Sequence, residues 1–363
     1  MQHTTTVGRR GRALATGVGA TLALLALAAC SGGDGAGGDG ASSGSGGTVT
    51  LVTHDSFAVS HDVLAAFEEE SGLTVEQVAP GDGGALVNQL ILTKDSPLGD
   101  VVFGIDNTFA SRAIDEGVLE PYTPADVSES AASYAVGDGG ELTAVDLGDV
   151  CVNVDHTWFA DAGIPEPVTL EDLAKPEYRD LLVVTNPATS SPGLAFLLAT
   201  VGAFGEDGWE DYWADLRANG VKVVDGWSDA YYVDFSGSEG AGPRPLVLSY
   251  STSPAFTLTE DGSASTTGAL LDTCFRQVEY AGVLANAKNP EGAQQFLDFL
   301  VSETFQADVA DQMYMYPADD SVALPDGWAE LAPLADEPFE VAPADVSAHR
   351  DEWIKAWTAT VVD

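Results

Sequence analysis

Basic side chains are scarce in this 363-residue chain, 14 Lys and Arg against 57 Asp and Glu, for a formal net charge of −43. A surface this acidic is repelled by phosphate backbones, which excludes direct nucleic-acid binding and makes cations the better partner class. Cysteine is rare too: there are three, and none stands in C-x-x-C or another metal-ligand spacing. Beyond residue 29 no apolar run is long enough to span a bilayer. Disorder is not implied, because 45% of the residues are hydrophobic, enough to fill a core. The length suggests about two domains.

The first 29 residues differ from the rest. They carry Arg9, Arg10 and Arg12, no acidic residue, and an apolar stretch of small residues and leucines from Ala13 to Ala29. This is the pattern of an export signal rather than of a structural helix. Its end, LAAC at 27–30, resembles a bacterial lipobox, which would make Cys30 a lipidated N-terminus after cleavage. Without the leader's arginines the chain holds 11 basic against 57 acidic residues, or −46. Residues 31–47 contain nine Gly, four Ser, two Asp and two Ala, a flexible tether with a reach of roughly 20–25 Å. Two cysteines remain, Cys151 and Cys274, either as a disulfide across a long loop or as two separate thiols. An oxidising compartment favours the bond.

From Thr48 onward short apolar runs alternate with amphipathic segments. TVTLVT (48–53), LTVEQV (73–78) and DVVFGI (100–105) read as strands, and 63–72 and 85–94 as helices between them. That order is β-α-β-α-β, the unit of a parallel sheet, whose ligands sit beyond the carboxyl ends of the strands. A second α/β segment runs from about Asp149 to Phe275, with helices over 193–204 and 209–220 and strands at 149–155, 181–185, 221–224 and 246–250. FRQVEYAGVL (275–284) is a return strand. NPEGAQQFLDFLVS (289–302) is a helix with Asn289 as N-cap and Pro290 at its first position. Val346, Trp353, Ile354 and Trp357 form a helical packing stripe. The expectation is an α/β chain of two lobes, 48–148 plus 276–363 and 149–275. Each would be a mainly parallel sheet flanked by helices, the two joined by hinge strands.

Strand ends then nominate Asp55, Ser56, Asp106 and Asn107 as cleft residues, although Asp106 also suits the N-cap of a helix near Phe109. Ser190, Ser191 and Gly193 open a helix, where free N–H groups favour an anionic or hydroxyl group, simple capping being the alternative. Trp227, Tyr231 and Tyr250 stand beside Gly226, Ser228, Ser249, Ser251 and Ser253 rather than inside apolar runs, with Tyr314 and Tyr316 further on. Aromatic faces with a carboxylate and short polar groups suit a flat cationic ligand.

The segments DSF (55–57), GDGGALVNQL (81–90), GDVVFGIDNTF (99–109), TNPATSSPGLAFLL (185–198), GWSDAYY (226–232), LVLSYSTSPAF (246–256) and MYMYP (313–317), with 277–302, resemble the type II periplasmic binding proteins of ABC importers, and among them the thiamine-binding members. His54 and Tyr314 depart from that pattern, where Tyr and Trp are frequent. The insertion 236–245 is longer than usual. The resemblance implies an extracytoplasmic receptor, not an enzyme, anchored to the outer face of the membrane through lipid on Cys30. It would capture thiamine, and its mono- or diphosphate, and pass it to a permease with its ATPase. It adds Asp82 to the ligand residues and implies a monomer with no cofactor and no metal. Three rivals share the fold. A ferric-iron receptor would use Tyr231 and Tyr232 beside His54 and Asp106; a receptor for another cationic small molecule, such as a polyamine, is the second. A thiaminase-like enzyme would need Cys151 or Cys274 as nucleophile, but both lie in strand-like segments.

Overall fold

The computed structural model describes residues 47–239 and 242–362. The leader, Cys30 and nearly all of the Gly/Ser tether lie outside them. Ten strands form one mixed sheet: β1 Thr48–Thr53, β2 Thr74–Val78, β3 Val101–Asp106, β4 Leu119–Glu120, β5 Thr143–Asp155, β6 Leu182–Thr185, β7 Lys222–Val224, β8 Leu246–Tyr250, β9 Thr267–Leu284 and β10 Tyr316–Pro317. Their order is β2-β1-β3-β9-β5-β8-β6-β7, with β10 on β5 and β4 on β9. At one end β2, β1 and β3 run parallel, and at the other β8, β6 and β7 do so. Between them β9 and β5 pair antiparallel with each other and with the strand on either side.

These two central strands are longer than their apolar patterns predict. β5 begins six residues ahead of 149 and β9 eight ahead of 275. The cause is that each crosses from one half of the sheet to the other; β5 is buried throughout and β9 from Thr273 onward except at Arg276, so polar residues such as Asp146, Asp149 and Gln277 are carried inside. Near the middle Cys151 and Cys274 are bonded, spanning 123 positions of sequence.

Most local signals act as expected. Gly72 ends the helix His61–Ser71 at φ +71°, a conformation free of Cβ strain only for glycine. Asn289 accepts a hydrogen bond from Gly292 N–H at the head of Pro290–Leu300. Phe296, Leu297 and Leu300 of that helix are buried against β1, β3 and β9. The final helix, Pro343–Val361, packs against one helix flanking each half of the sheet. Trp357 meets Trp213 of Trp209–Ala218 edge-on at 5.5 Å, and Arg350 lies 5.8 Å over the ring of Phe109, beside Ala110–Asp115. Among the described residues no helix is long and apolar enough to cross a membrane.

Candidate functional site

A cavity of about 330 Å³ opens where the loops beyond β1 and β8 meet the starts of three helical segments and the turn before β10. Of the residues nominated by sequence, Asp55, Ser56, Asp82, Ser191, Trp227, Tyr231, Tyr250, Ser253 and Tyr314 line it. His54, Tyr232, Thr252, Phe256 and Glu279 line it as well, and among the described residues no Lys or Arg does.

One wall is aromatic. Trp227 and Tyr231 stack at 4.9 Å and 15°, and Tyr232 stands edge-on to both. They belong to a helical turn, Trp227–Asp229, that widens into a π-helical turn, Ala230–Asp234, rather than to a plain loop. The extra residue of a π turn brings positions 227, 231 and 232 to one side. The indole is fixed by polar contacts: Trp227 Nε1–H donates to Ser249 Oγ at 2.8 Å, and Ser249 bonds Ser253 at 2.7 Å. Across the cavity Tyr314 sits at φ +54°, a left-handed backbone held by the end of Glu303–Met313, and stacks with Phe256.

Asp82 joins segments far apart in sequence. Its Oδ1 accepts from Gly83 N–H at 2.6 Å and Ser191 N–H at 3.1 Å, and its Oδ2 from Trp227 N–H at 2.9 Å. The seam beside it is made of glycine. A Cβ on Gly83 would lie 2.1 Å from Ser191 Oγ, and one on Gly84 2.7 Å from the Thr189 carbonyl carbon. Ala85 N–H reaches Thr189 O at 2.9 Å across the same seam.

The floor is ionisable. Gly104, at φ +94° in a bulge of β3, leaves room for the His54 ring, which a Cβ there would meet at 2.2 Å. His54 Nδ1 accepts from Ser56 N–H, and Nε2 lies 3.4 Å from Glu279 Oε1. Burial works against charging His54, but Glu279, Asp82 and Asp55 outweigh it and its pKa is raised.

Six nominated residues fall outside the lining. Asp106 is fully buried, its Oδ1 occupied by Thr108 N–H and Phe109 N–H, so it is the capping residue of the turn that follows β3. Asn107 bridges to Arg276 O and Val278 N–H of β9. Ser190 caps Ser191–Phe204 through Gly193 N–H, and Gly193 packs so closely on Thr185 O that a Cβ would stand 2.6 Å away. Ser251 is buried with its N–H on Asp149 O, and Tyr316 donates to Ala332 O. The helix start expected to hold an anion has its donors taken, by Asp82 and by Ser190. Missed by sequence reasoning were Glu279, which looks like one polar position in a return strand, and Phe256 and Thr252, whose signal was only adjacency to Ser251 and Ser253.

Burial raises the Asp106 carboxyl from 3.8 to about 6, against hydrogen bonds from Ser191 and Thr108. The folded protein therefore holds this proton to higher pH than the unfolded chain, and stability falls as pH rises from about 4 through 6. Asp106→Asn should raise unfolding stability at pH 7.5 by about 3 kcal/mol and hardly change it at pH 4. Urea titrations at the two pH values check this; equal effects at both would sink it.

The chain belongs to the bacterial extracellular solute-binding proteins, whose family pattern matches residues 96–336. It is 32% identical to the thiamine-binding periplasmic protein of Escherichia coli (strain K12) over 323 residues, 86% of this chain and 93% of that one. A solved periplasmic thiamin binding protein superposes with a TM-score of 0.75 at 31% identity, over 87% of this chain and 96% of that one. Iron-bound HitA from Pseudomonas aeruginosa, at 21% identity and a TM-score of 0.65 over 86% and 99%, shares the fold. That fold is the α/β one of type II periplasmic binding proteins.

Proposed function

We propose that the protein captures thiamine in this cavity on the outer side of the cell membrane and delivers it to an ABC permease. The lipidated Cys30 and the tether would keep it at that surface. One observation carries the ligand assignment: a parallel Trp227–Tyr231 pair faces a cavity that holds His54, Asp55, Asp82 and Glu279 but, among the described residues, no lysine or arginine. Such a wall suits a flat ring with a permanent positive charge, each cation–π contact contributing ~0.5–2 kcal/mol. The similarity to thiamine-binding proteins points the same way. The occupied helix start and the missing basic residues favour thiamine over its phosphate esters.

In this reading residues 48–148 with 276–363, and residues 149–275, act as lobes that hinge on β5 and β9. Ligand favours the closed arrangement through contacts to both. Ferric iron is less well served. Tyr231 and Tyr232 stand at 90° to one another, with Tyr231 packed flat on Trp227, and among the described residues no group of three or more His, Cys, Asp and Glu converges as metal ligands.

Isothermal titration with thiamine and its mono- and diphosphates is the test. Stoichiometric binding with thiamine tightest is expected; no binding of any of them at millimolar concentration refutes the assignment. Trp227→Ala should weaken thiamine binding by ~1–3 kcal/mol. An unchanged affinity would remove the indole from the site.

A further inference from the structure

Beneath the aromatic wall, three acids stand side by side on adjacent strands. In the strand register Asp106 of β3 faces Glu279 of β9, and Glu279 faces Asp146 of β5. Cross-strand partners share a face of the sheet, so these carboxyl groups form one lateral row. All three are at most 5% exposed, and only Glu279 reaches the cavity. Asp106 is committed to capping. Asp146 has both carboxyl oxygens buried with no donor among the described residues, and its hydrogen-bonding reach is to Glu279, which as a carboxylate can only accept. Two ionised carboxylates cannot share such a contact away from water.

Other groups around Glu279 fix which of the pair keeps a charge. Ser56 N–H on His54 Nδ1 leaves the neutral ring's proton on Nε2, which lies 3.4 Å from Glu279 Oε1 without forming a well-aligned hydrogen bond to it. Gln277 Nε2–H donates to the same oxygen at 3.3 Å. Gln277 therefore serves Glu279, with the His54 ring beside it, and among the described residues no donor serves Asp146. Asp55, Asp82, Asp106 and Tyr250 are further titratable groups around the floor, and among the described residues no Lys or Arg lines the cavity to supply a counter-charge.

We infer that Glu279 is the counter-charge for the bound cation, and that Asp146 stands behind it as a neutral carboxylic acid donating its O–H to Glu279. The inference rests on the thiamine reading for the identity of the cation. Asp146 is a positioning residue: it does not touch the cavity, and its hydrogen bond orients the carboxylate that does. Burial, then the charge of Glu279 and its hydrogen bond, push the Asp146 pKa well above the carboxylate range, in keeping with a proton retained at neutral pH.

The experiment combines thiamine titration with infrared spectroscopy. Glu279→Gln should weaken thiamine binding about ten- to a hundred-fold, as expected for losing a charge-assisted contact. Asp146→Ala should weaken it about ten-fold, and Asp146→Asn, whose amide also donates, should recover part of that loss. The ligand-free wild type at pH 8 should show the carbonyl band of a protonated buried carboxyl, missing in Asp146→Asn. Absence of the band, or a Glu279→Gln protein that binds thiamine as tightly as wild type, overturns the inference. Wild type that fails to bind thiamine overturns the proposed function instead; the band, read without ligand, still decides the pairing.

Discussion

Asp82→Ala is expected to lower unfolding stability by about 3 kcal/mol and thiamine affinity by at least about a hundred-fold. The reason is geometric. One buried carboxylate accepts from Gly83, Ser191 and Trp227, and truncation leaves those N–H groups without a partner in a place water reaches poorly. Each orphaned donor costs about 1–3 kcal/mol. The binding loss follows because the same contacts set the Trp227 backbone, and with it the indole, against the cavity. Asp82→Asn keeps acceptor oxygen on one side only and should fall between. Chemical denaturation and titration of the three proteins check this, and a truncated protein as stable as wild type would show that the contacts carry no weight.

Removal of the Cys151–Cys274 bond is the second large effect. The bond closes 123 positions, a segment holding β6, β7, β8 and the Trp227 turn. Constraining so long a loop in the unfolded chain stabilises the folded one by about 4–5 kcal/mol in the chain-entropy account. Both sulfurs are fully buried between β5 and β9, so the double Cys→Ala variant adds a small packing loss. Urea unfolding of oxidised wild type, reduced wild type and the variant should give a gap of about 4 kcal/mol. Coincident midpoints for all three would contradict it.

Where burial followed from local pattern, sequence was a good guide. TVTLVT is a strand with the predicted bounds, and Gly72 and Asn289 cap their helices as expected. The aromatic wall was legible because Trp227 and Tyr231 sit among small polar residues instead of apolar ones. The six residues that fell outside the cavity share a different cause. Asp106, Asn107 and Ser190 are types equally suited to capping and to ligand binding, and which they do depends on whether a backbone donor lies nearby. For Asn107 that is decided by β9 meeting β3, a non-local pairing, whereas Asp106 and Ser190 cap N–H groups two or three residues on, where sequence fits either role. Glu279 was invisible for the converse reason. Its neighbours Asp106 and Asp146 are 173 and 133 positions away, and only strand register brings the three together.

The glycine seam between Gly83–Gly84 and Thr189–Ser191 has a consequence for signalling. A joint lined by long side chains can stretch, because rotamers follow a moving partner, and intermediate widths are then populated. This joint has glycine on one side and the Thr189 backbone, the short Ser191 side chain and the rigid Phe109 ring on the other, so little side-chain length is there to take up slack. In the proposed cycle, a small displacement breaks the Asp82 contacts and the Ala85–Thr189 bond together. Occupancy would then be read out as one of two discrete shapes, and a permease sensing the outer surface would receive a yes-or-no answer rather than a graded one.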